Sequence, residues 1–284
     1  MKKIFCFFCF FCLLFVMILL LTTSVFAADT YNGYNIPIDI EVNGHFINCT
    51  QKPIIINGTT YIPLRVFSDA IGGSILWDEV NRVAVMEKDG HSFSFDPDEN
   101  RCVIDGAATE YGVVLYENLT FIPVRAVSET LGYEVLWDDC YLTVKITAPN
   151  TEIPEVCRDY SYTYEDMLYL GKIVQIEGGY QPFEAKLGVA GTVMNRVKSP
   201  KFPNAVKSVI FDTKYGVQFP PVHTSKIDVT PTKDTMIAAK CALGGVQVVG
   251  DSLYFIDTKA APNSWAHNNR PYYATLGGMN FYEY

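Results

Sequence analysis

Apolar positions along this chain follow three successive patterns. From Ile4 to Leu21 they form an almost unbroken run behind Lys2 and Lys3. From about residue 36 to residue 146 they come as short stretches separated by turn dipeptides such as Asn43-Gly44 and Asp105-Gly106, the pattern of strands joined by tight hairpins. After Thr163 they recur at helical spacing: Met167, Leu170 and Val174 lie on one face, three and four residues apart.

The first pattern is that of an export signal. The cationic start and apolar run lead through Thr22-Thr23-Ser24 to Val25-Phe26-Ala27, small residues suited to a signal peptidase. Residues 1–27 are therefore expected to be a secretory signal cleaved after Ala27. An uncleaved anchor is the other reading, and the run is long enough for it. The small-residue exit favours cleavage. Membrane association is then expected only through the signal before cleavage, with the remaining chain outside the cytoplasm.

The second pattern repeats itself. Thr60-Tyr61-Ile62-Pro63-Leu64-Arg65-Val66 returns as Thr120-Phe121-Ile122-Pro123-Val124-Arg125-Ala126, and Gly72, Leu76, Trp77 and Asp78 return as Gly132, Leu136, Trp137 and Asp138. We read residues 36–146 as a duplicated small α+β module with repeats over about 36–95 and 96–146. Each copy is expected to run strand, turn, strand, short helix, strand, strand. Val66, Phe67, Ala70 and Ile71 form the apolar face of the first copy's helix, which Gly72 ends. Arg65 and Arg125 are expected to tie their helices to neighbouring carbonyls or carboxylates. Residues 147–162 lack periodicity, hold Pro149 and Pro154, and read as a semi-extended linker.

The third pattern opens a domain over 163–284. Thr163 can cap its first helix, with Asp166 completing the box. Glu177 closes the apolar stripe, and Gly178-Gly179 stops the helix behind it. A carboxyl at the edge of a greasy surface should have its pKa raised, because burial disfavours the charged form. Such a group suits protonation of a leaving oxygen near neutral pH.

Composition narrows the partners. Removing the signal leaves about 257 residues, enough for two domains, and takes the formal charge from −9 to −11. An acidic chain without a basic run is not built for nucleic acid. Abundant Tyr and Phe, 18 of each, suit sugar stacking as well as cores. Cys49, Cys102, Cys140, Cys157 and Cys241 are scattered, without metal-ligand spacing, so no metal and no cofactor is implied.

Two resemblances sharpen this picture. The repeated module resembles the copper-amine-oxidase N-terminal-like stalk domain of exported proteins, which implies a spacer or wall-binding role without copper chemistry. The segment from Glu177 through Gln181-Pro182 to Asn195-Arg196-Val197 resembles the signature of the SleB-type cell-wall hydrolases, the spore-cortex-lytic enzymes. The likeness continues through Phe202-Pro203-Asn204, Gln218-Phe219, Leu253-Tyr254-Phe255, Ser264-Trp265 and Gly277 to Tyr282. It implies a mainly helical domain, like lysozyme and the lytic transglycosylases, with a small β lobe and with Glu177 as the catalytic acid. Three departures stand out. Gln181 replaces a second Glu, Gly178-Gly179-Tyr180 replaces a small-basic-Gly sequence, and Asn280 replaces a His.

The expected activity is cleavage of peptidoglycan between N-acetylmuramic acid and N-acetylglucosamine, by a transglycosylase route that needs one glutamate. The substrate would be cell wall or spore cortex, and the protein secreted or held in the envelope. The alternative is a non-catalytic wall-binding protein with a degenerate hydrolase fold. Gln218 and Phe219 are candidate sugar contacts from a Pro-rich loop. Tyr254 can face cleft or core, and Trp265 can stack on a saccharide or serve structure. Asn195-Arg196 is expected to hold the helix pair together. Glu184, His223 and His267 are expected at the surface.

Overall fold

The computed structural model describes residues 28–214, 216–261 and 264–284. The expected signal peptide lies outside the described residues. Among them, no helix is long and apolar enough to cross a membrane.

The turn dipeptides fold as their chemistry requires. Asn43-Gly44, Asn57-Gly58 and Asp105-Gly106 all take positive φ at both positions, between 49° and 82°, which matches the right-handed twist of the strands they join. The strands assemble by interleaving distant parts of the chain. Leu119–Pro123 pairs antiparallel with Thr59–Pro63, setting Ile122 opposite Ile62. Thr143–Thr147 pairs parallel with Asp39–Val42, and a five-stranded sheet runs from Ser74–Asp78 to Ala107–Ala108. Helix α1, Leu64–Ile71, buries Phe67, Ala70 and Ile71 and ends at Gly72 in the left-handed region. Helix α2, Val124–Thr130, occupies the corresponding place after Pro123. Arg125 donates from Nη1 to the Val135 carbonyl at 3.0 Å and to Glu129 at 3.1 Å, the tie expected of it.

Residues 147–162 are not a free tether. Ala148, Ile153 and Tyr162 are buried. Asn43 exchanges bonds with Ala148 at 2.8 and 2.9 Å, and Arg158 donates twice to the Ile153 carbonyl, at 3.0 and 2.8 Å. Part of this segment is extended and Glu155–Cys157 form a short 3-10 helix after Pro154; its apolar side chains and satisfied carbonyls bind it to the preceding sheet.

The C-terminal region is built on α3 (Tyr164–Gly178), α4 (Phe183–Lys198), α5 (Val206–Ile210) and α6 (Lys233–Leu243). Strands Tyr254–Asp257, Met279–Tyr282 and Tyr272–Leu276 form a small antiparallel sheet, with the short helix α7, Trp265–Asn269, beside it. Helix α3 begins with the complete Thr163/Asp166 capping box, worth about 1 kcal/mol. Gly191 and Gly188 let α4 approach Val249 and Phe281 closely: a Cβ on Gly188 would meet the Phe281 ring at 2.6 Å.

The two regions share a continuous core. At their junction Lys240 of α6, only 1% exposed, pairs with Asp39 at 2.8 Å. Its ammonium also donates to the carbonyls of Tyr141 and Leu142, at 2.5 and 2.9 Å. The Tyr162 hydroxyl donates to Asp39 at 2.8 Å. Tyr31 and Tyr34 close the other side, with ring centroids 5.2 and 5.6 Å from that of Phe183.

Candidate active site

Glu177 sits in the last turn of α3. The stripe of Met167, Leu170 and Val174 beneath it is fully buried, so its carboxyl stands where the apolar face ends. Burial pushes its pKa above the ordinary carboxylate range, and the Lys226 ammonium pulls it partly back. Among the described residues no hydrogen bond holds the carboxyl. Gly179, not left-handed here but in helical conformation, ends the helix. A Cβ there would meet the Gln175 carbonyl at 2.5 Å, which is why the chain turns away behind Glu177 on glycine.

Gln175, one half-turn before Glu177, is itself pinned. Its Oε1 accepts from the Thr232 amide at 3.2 Å and hydroxyl at 3.0 Å, and from the Thr235 hydroxyl at 3.3 Å. The start of α6 thus fixes the end of α3. Three residues beyond Glu177, Tyr180 is 74% exposed and donates its hydroxyl to Asp257, at the end of the small sheet's first strand. That bond raises the Tyr180 pKa and holds Asp257 below the usual carboxylate range. The phenol also feels the charge of Glu177. The two carboxyls near Tyr180 are thus shifted in opposite directions, Glu177 upward by burial and Asp257 downward by the Tyr180 hydrogen bond.

Gln181 is buried and accepts from the Gly278 amide at 2.8 Å. It joins the start of α4 to the last hairpin, a task a neutral amide performs without burying a charge. Tyr180, Asp257 and Lys226 were not singled out in the sequence. Tyr180 alone had a signal there, as a departure from the expected Gly; Asp257 and Lys226 reach the site only through tertiary packing.

The expected sugar contacts are distributed differently. Gln218 is half-buried and donates to its neighbour Gly216 at 3.1 Å. Phe219 is a core residue, 3% exposed, with the Arg196 guanidinium 5.0 Å from its ring centre and Phe255 at 6.0 Å. The Pro-rich loop folds inward over Arg196, so this ring is not available as a cleft contact. Tyr254 and Trp265 come together, 5.9 Å apart and edge to face. Arg270 lies 5.4 and 4.7 Å from their ring centres. Strand alternation puts Tyr254 on the sheet face opposite Phe255 and Asp257, and no contact among the described residues joins this pair to Glu177. Trp265 is 57% exposed.

Asn195 and Arg196 serve structure, but with a different partner from the one expected. Asn195 donates to the carbonyls of Gly250 and Ser252 at 2.8 and 3.0 Å, and Arg196 to Leu253 at 2.8 Å. They anchor α4 to the entry of the small sheet rather than to another helix. Asn280 donates to the Tyr282 hydroxyl at 3.2 Å. Glu184, His223 and His267 are exposed, as expected.

Residues 41–146 and 113–163 match the family model described as copper amine oxidase N-terminal domain, and residues 180–282 match that described as Cell Wall Hydrolase. Glu177 lies just before the second match. The spore cortex-lytic enzyme of Bacillus cereus is 30% identical over 104 residues, which cover 37% of this chain and 39% of that protein. The spore cortex-lytic enzyme of Bacillus subtilis is 28% identical over 122 residues, covering 43% and 39%. The chain thus spans about two fifths of the length of the curated relatives it matches. Among solved structures, the catalytic domain of the germination-specific lytic transglycosylase SleB from Bacillus anthracis is 28% identical, with 44% of this chain and 99% of that one covered and a TM-score of 0.40.

Proposed function

We propose that this protein, a cell wall hydrolase domain behind a copper amine oxidase N-terminal domain, is an exported enzyme that cleaves peptidoglycan glycan strands between N-acetylmuramic acid and N-acetylglucosamine. The observation that carries the reading is Glu177: a carboxyl at the end of a buried stripe, its pKa raised by burial, beside a domain matched to cell wall hydrolases. The duplicated module of residues 36–146 is read as the domain that holds this site at the wall, and residues 1–27 as the signal that brings it there.

The chemistry follows from one carboxyl acting twice. Protonated Glu177 gives its proton to the glycosidic oxygen as the bond to the muramyl anomeric carbon breaks. The resulting carboxylate then takes the proton of the muramyl 6-hydroxyl, whose oxygen attacks that anomeric carbon. The products are a free 4-hydroxyl on N-acetylglucosamine and a 1,6-anhydromuramyl end; no water is consumed and Glu177 is again protonated. Gln181 does not weaken this scheme, since it requires no second carboxylate.

Mass spectrometry of the muropeptides released by the purified chain tests the scheme. Anhydromuramyl ends are expected; reducing muramic ends would replace it with hydrolysis, and no release would remove the catalytic reading. The acid role also fixes the direction of a pH effect. Activity is retained while Glu177 is protonated and falls as pH rises through its raised pKa. The Lys226 charge lowers that pKa, so Lys226→Gln is expected to move the alkaline limb of kcat/KM to higher pH. High salt should shrink the difference, because Lys226 is exposed and screened. A limb unmoved at low ionic strength would show that Glu177 does not set it.

A further inference from the structure

Beyond the acid site, a cavity of about 420 Å³ opens at the junction of the N-terminal module and the C-terminal domain. This volume falls in the range of small-molecule sites, about 300–1,000 Å³, and domain junctions are where such sites concentrate. Its walls include the Trp137 and Tyr111 side chains, the Gly58-Thr59-Thr60 turn, and two cations, Arg125 from the module and Lys233 from α6.

The placement of Trp137 is unusual for its strand. Val135 and Trp137 project from the same face of Glu134–Asp138, and Val135 is 7% exposed while Trp137 is 38% exposed. The indole lies on the same strand face as Val135 but stays exposed, and it lines the cavity. Its orientation is fixed: Nε1 donates to Asp139 at 3.2 Å, and Asp139 pairs with Lys233 at 2.7 Å. Arg125 is held through Nη1 by Val135 and Glu129, so the guanidinium is oriented before any ligand arrives. An amphipathic ring suits the apolar face of a pyranose, and Arg125 and Lys233, each already paired with one carboxylate, have further N–H donors to offer a second.

We propose that this cavity is a second saccharide site, which takes a carboxylate-bearing amino-sugar segment with its ring against Trp137 and its carboxylate toward Arg125 and Lys233. The choice of wall glycan as the source rests on the function proposed above; the cavity and its chemistry do not. Lys233 follows Thr232, the residue that grips Gln175 on the catalytic helix. A strand held here is therefore held by the element that positions the end of α3. Occupying both sites on one polymer raises the effective concentration of the second contact.

The test uses the full chain carrying Glu177→Gln, so that ligand is bound and not consumed. Calorimetric titration with soluble, peptide-free muramyl glycan strands is expected to show two binding events. Adding Trp137→Ala should weaken one of them about five- to tenfold, the scale of one lost aromatic face, while Trp137→Phe retains most of it. Arg125→Gln should weaken binding of muramyl strands but not of neutral N-acetylglucosamine oligomers. Unchanged binding in both Trp137→Ala and Arg125→Gln overturns the site, and equal affinity for neutral and muramyl strands overturns the carboxylate contact. Should Trp137→Ala fail to fold, Trp137→Phe and Arg125→Gln decide the matter. With Glu177 restored, Trp137→Ala should slow release from insoluble sacculi. If the unaltered chain cleaves nothing, the catalytic reading fails while the binding titrations still report on this cavity.

Discussion

Replacing Glu177 with Gln is expected to lower peptidoglycan turnover by about 10²–10⁴-fold, the usual contribution of a positioned acid or base. The substitution is nearly isosteric, and no hydrogen bond among the described residues depends on the lost charge. Its effect on stability should run the other way. Glu177 has a folded pKa raised above its ordinary value, so the folded state binds its proton more tightly than the unfolded state does. That contribution is fully present at low pH and is lost as pH rises through the raised folded pKa. Above the ordinary carboxylate range the group is therefore a cost to the fold, and Gln, which does not titrate, removes it. Glu177→Gln should melt at an equal or higher temperature than the parent at pH 7, with the advantage shrinking in acid. Clearing of purified wall in a gel, beside paired melts at two pH values, checks both halves. Equal clearing by the two proteins, or a destabilised variant at pH 7, would contradict the role assigned to Glu177.

The helix that carries this residue was the most legible part of the chain. Its cap, stripe and stop are all local signals: Thr163 with Asp166, the spacing of Met167, Leu170 and Val174, and two glycines. The Asn-Gly and Asp-Gly hairpins were legible for the same reason, since positive φ at two adjacent positions selects those residues. Strand pairing was not legible. Ile62 lies opposite Ile122, and Asp39–Val42 runs parallel to Thr143–Thr147, because sheets are completed by whichever distant edge buries the apolar face, and no local pattern names that partner. The surroundings of the site have the same origin. A Pro-rich loop makes Phe219 a candidate sugar contact, but Arg196, itself buried, holds the ring inward. The prolines at 149 and 154 signal an extended backbone for part of their segment, yet they cannot say whether that backbone is solvated. Asp257 looks like an ordinary residue at a strand end until Tyr180 reaches it from the opposite lobe.

Lys240 carries the other large effect, this time on folding. It lies in the apolar run Ala238-Ala239-Lys240-Cys241, and its only route to stability is a partner supplied by the other region. Burial lowers its pKa, opposed by the charge of Asp39. Removing Asp39 leaves the Lys240 ammonium buried without its counter-charge, which costs about 3–5 kcal/mol. Asp39→Ala is therefore expected to destabilise the chain by that amount, and Lys240→Ala by less, because Lys52 at 3.5 Å and the Tyr162 hydroxyl still hold Asp39. Pairing Asp39→Leu with Lys240→Met should recover part of the loss, because no lone charge is then buried. Recovery should be incomplete: the Tyr141 and Leu142 carbonyls each lose one of two donors, and the Tyr162 hydroxyl loses its acceptor. Since the ion pair bridges the module and the helix that grips Gln175, the defect also has a location. Calorimetry should show one cooperative transition for the parent and two for Lys240→Ala, as the regions melt apart. A loss below about 1 kcal/mol with a single transition, the size expected of an exposed pair, would mean that the regions are coupled by their apolar contacts and not by this charge.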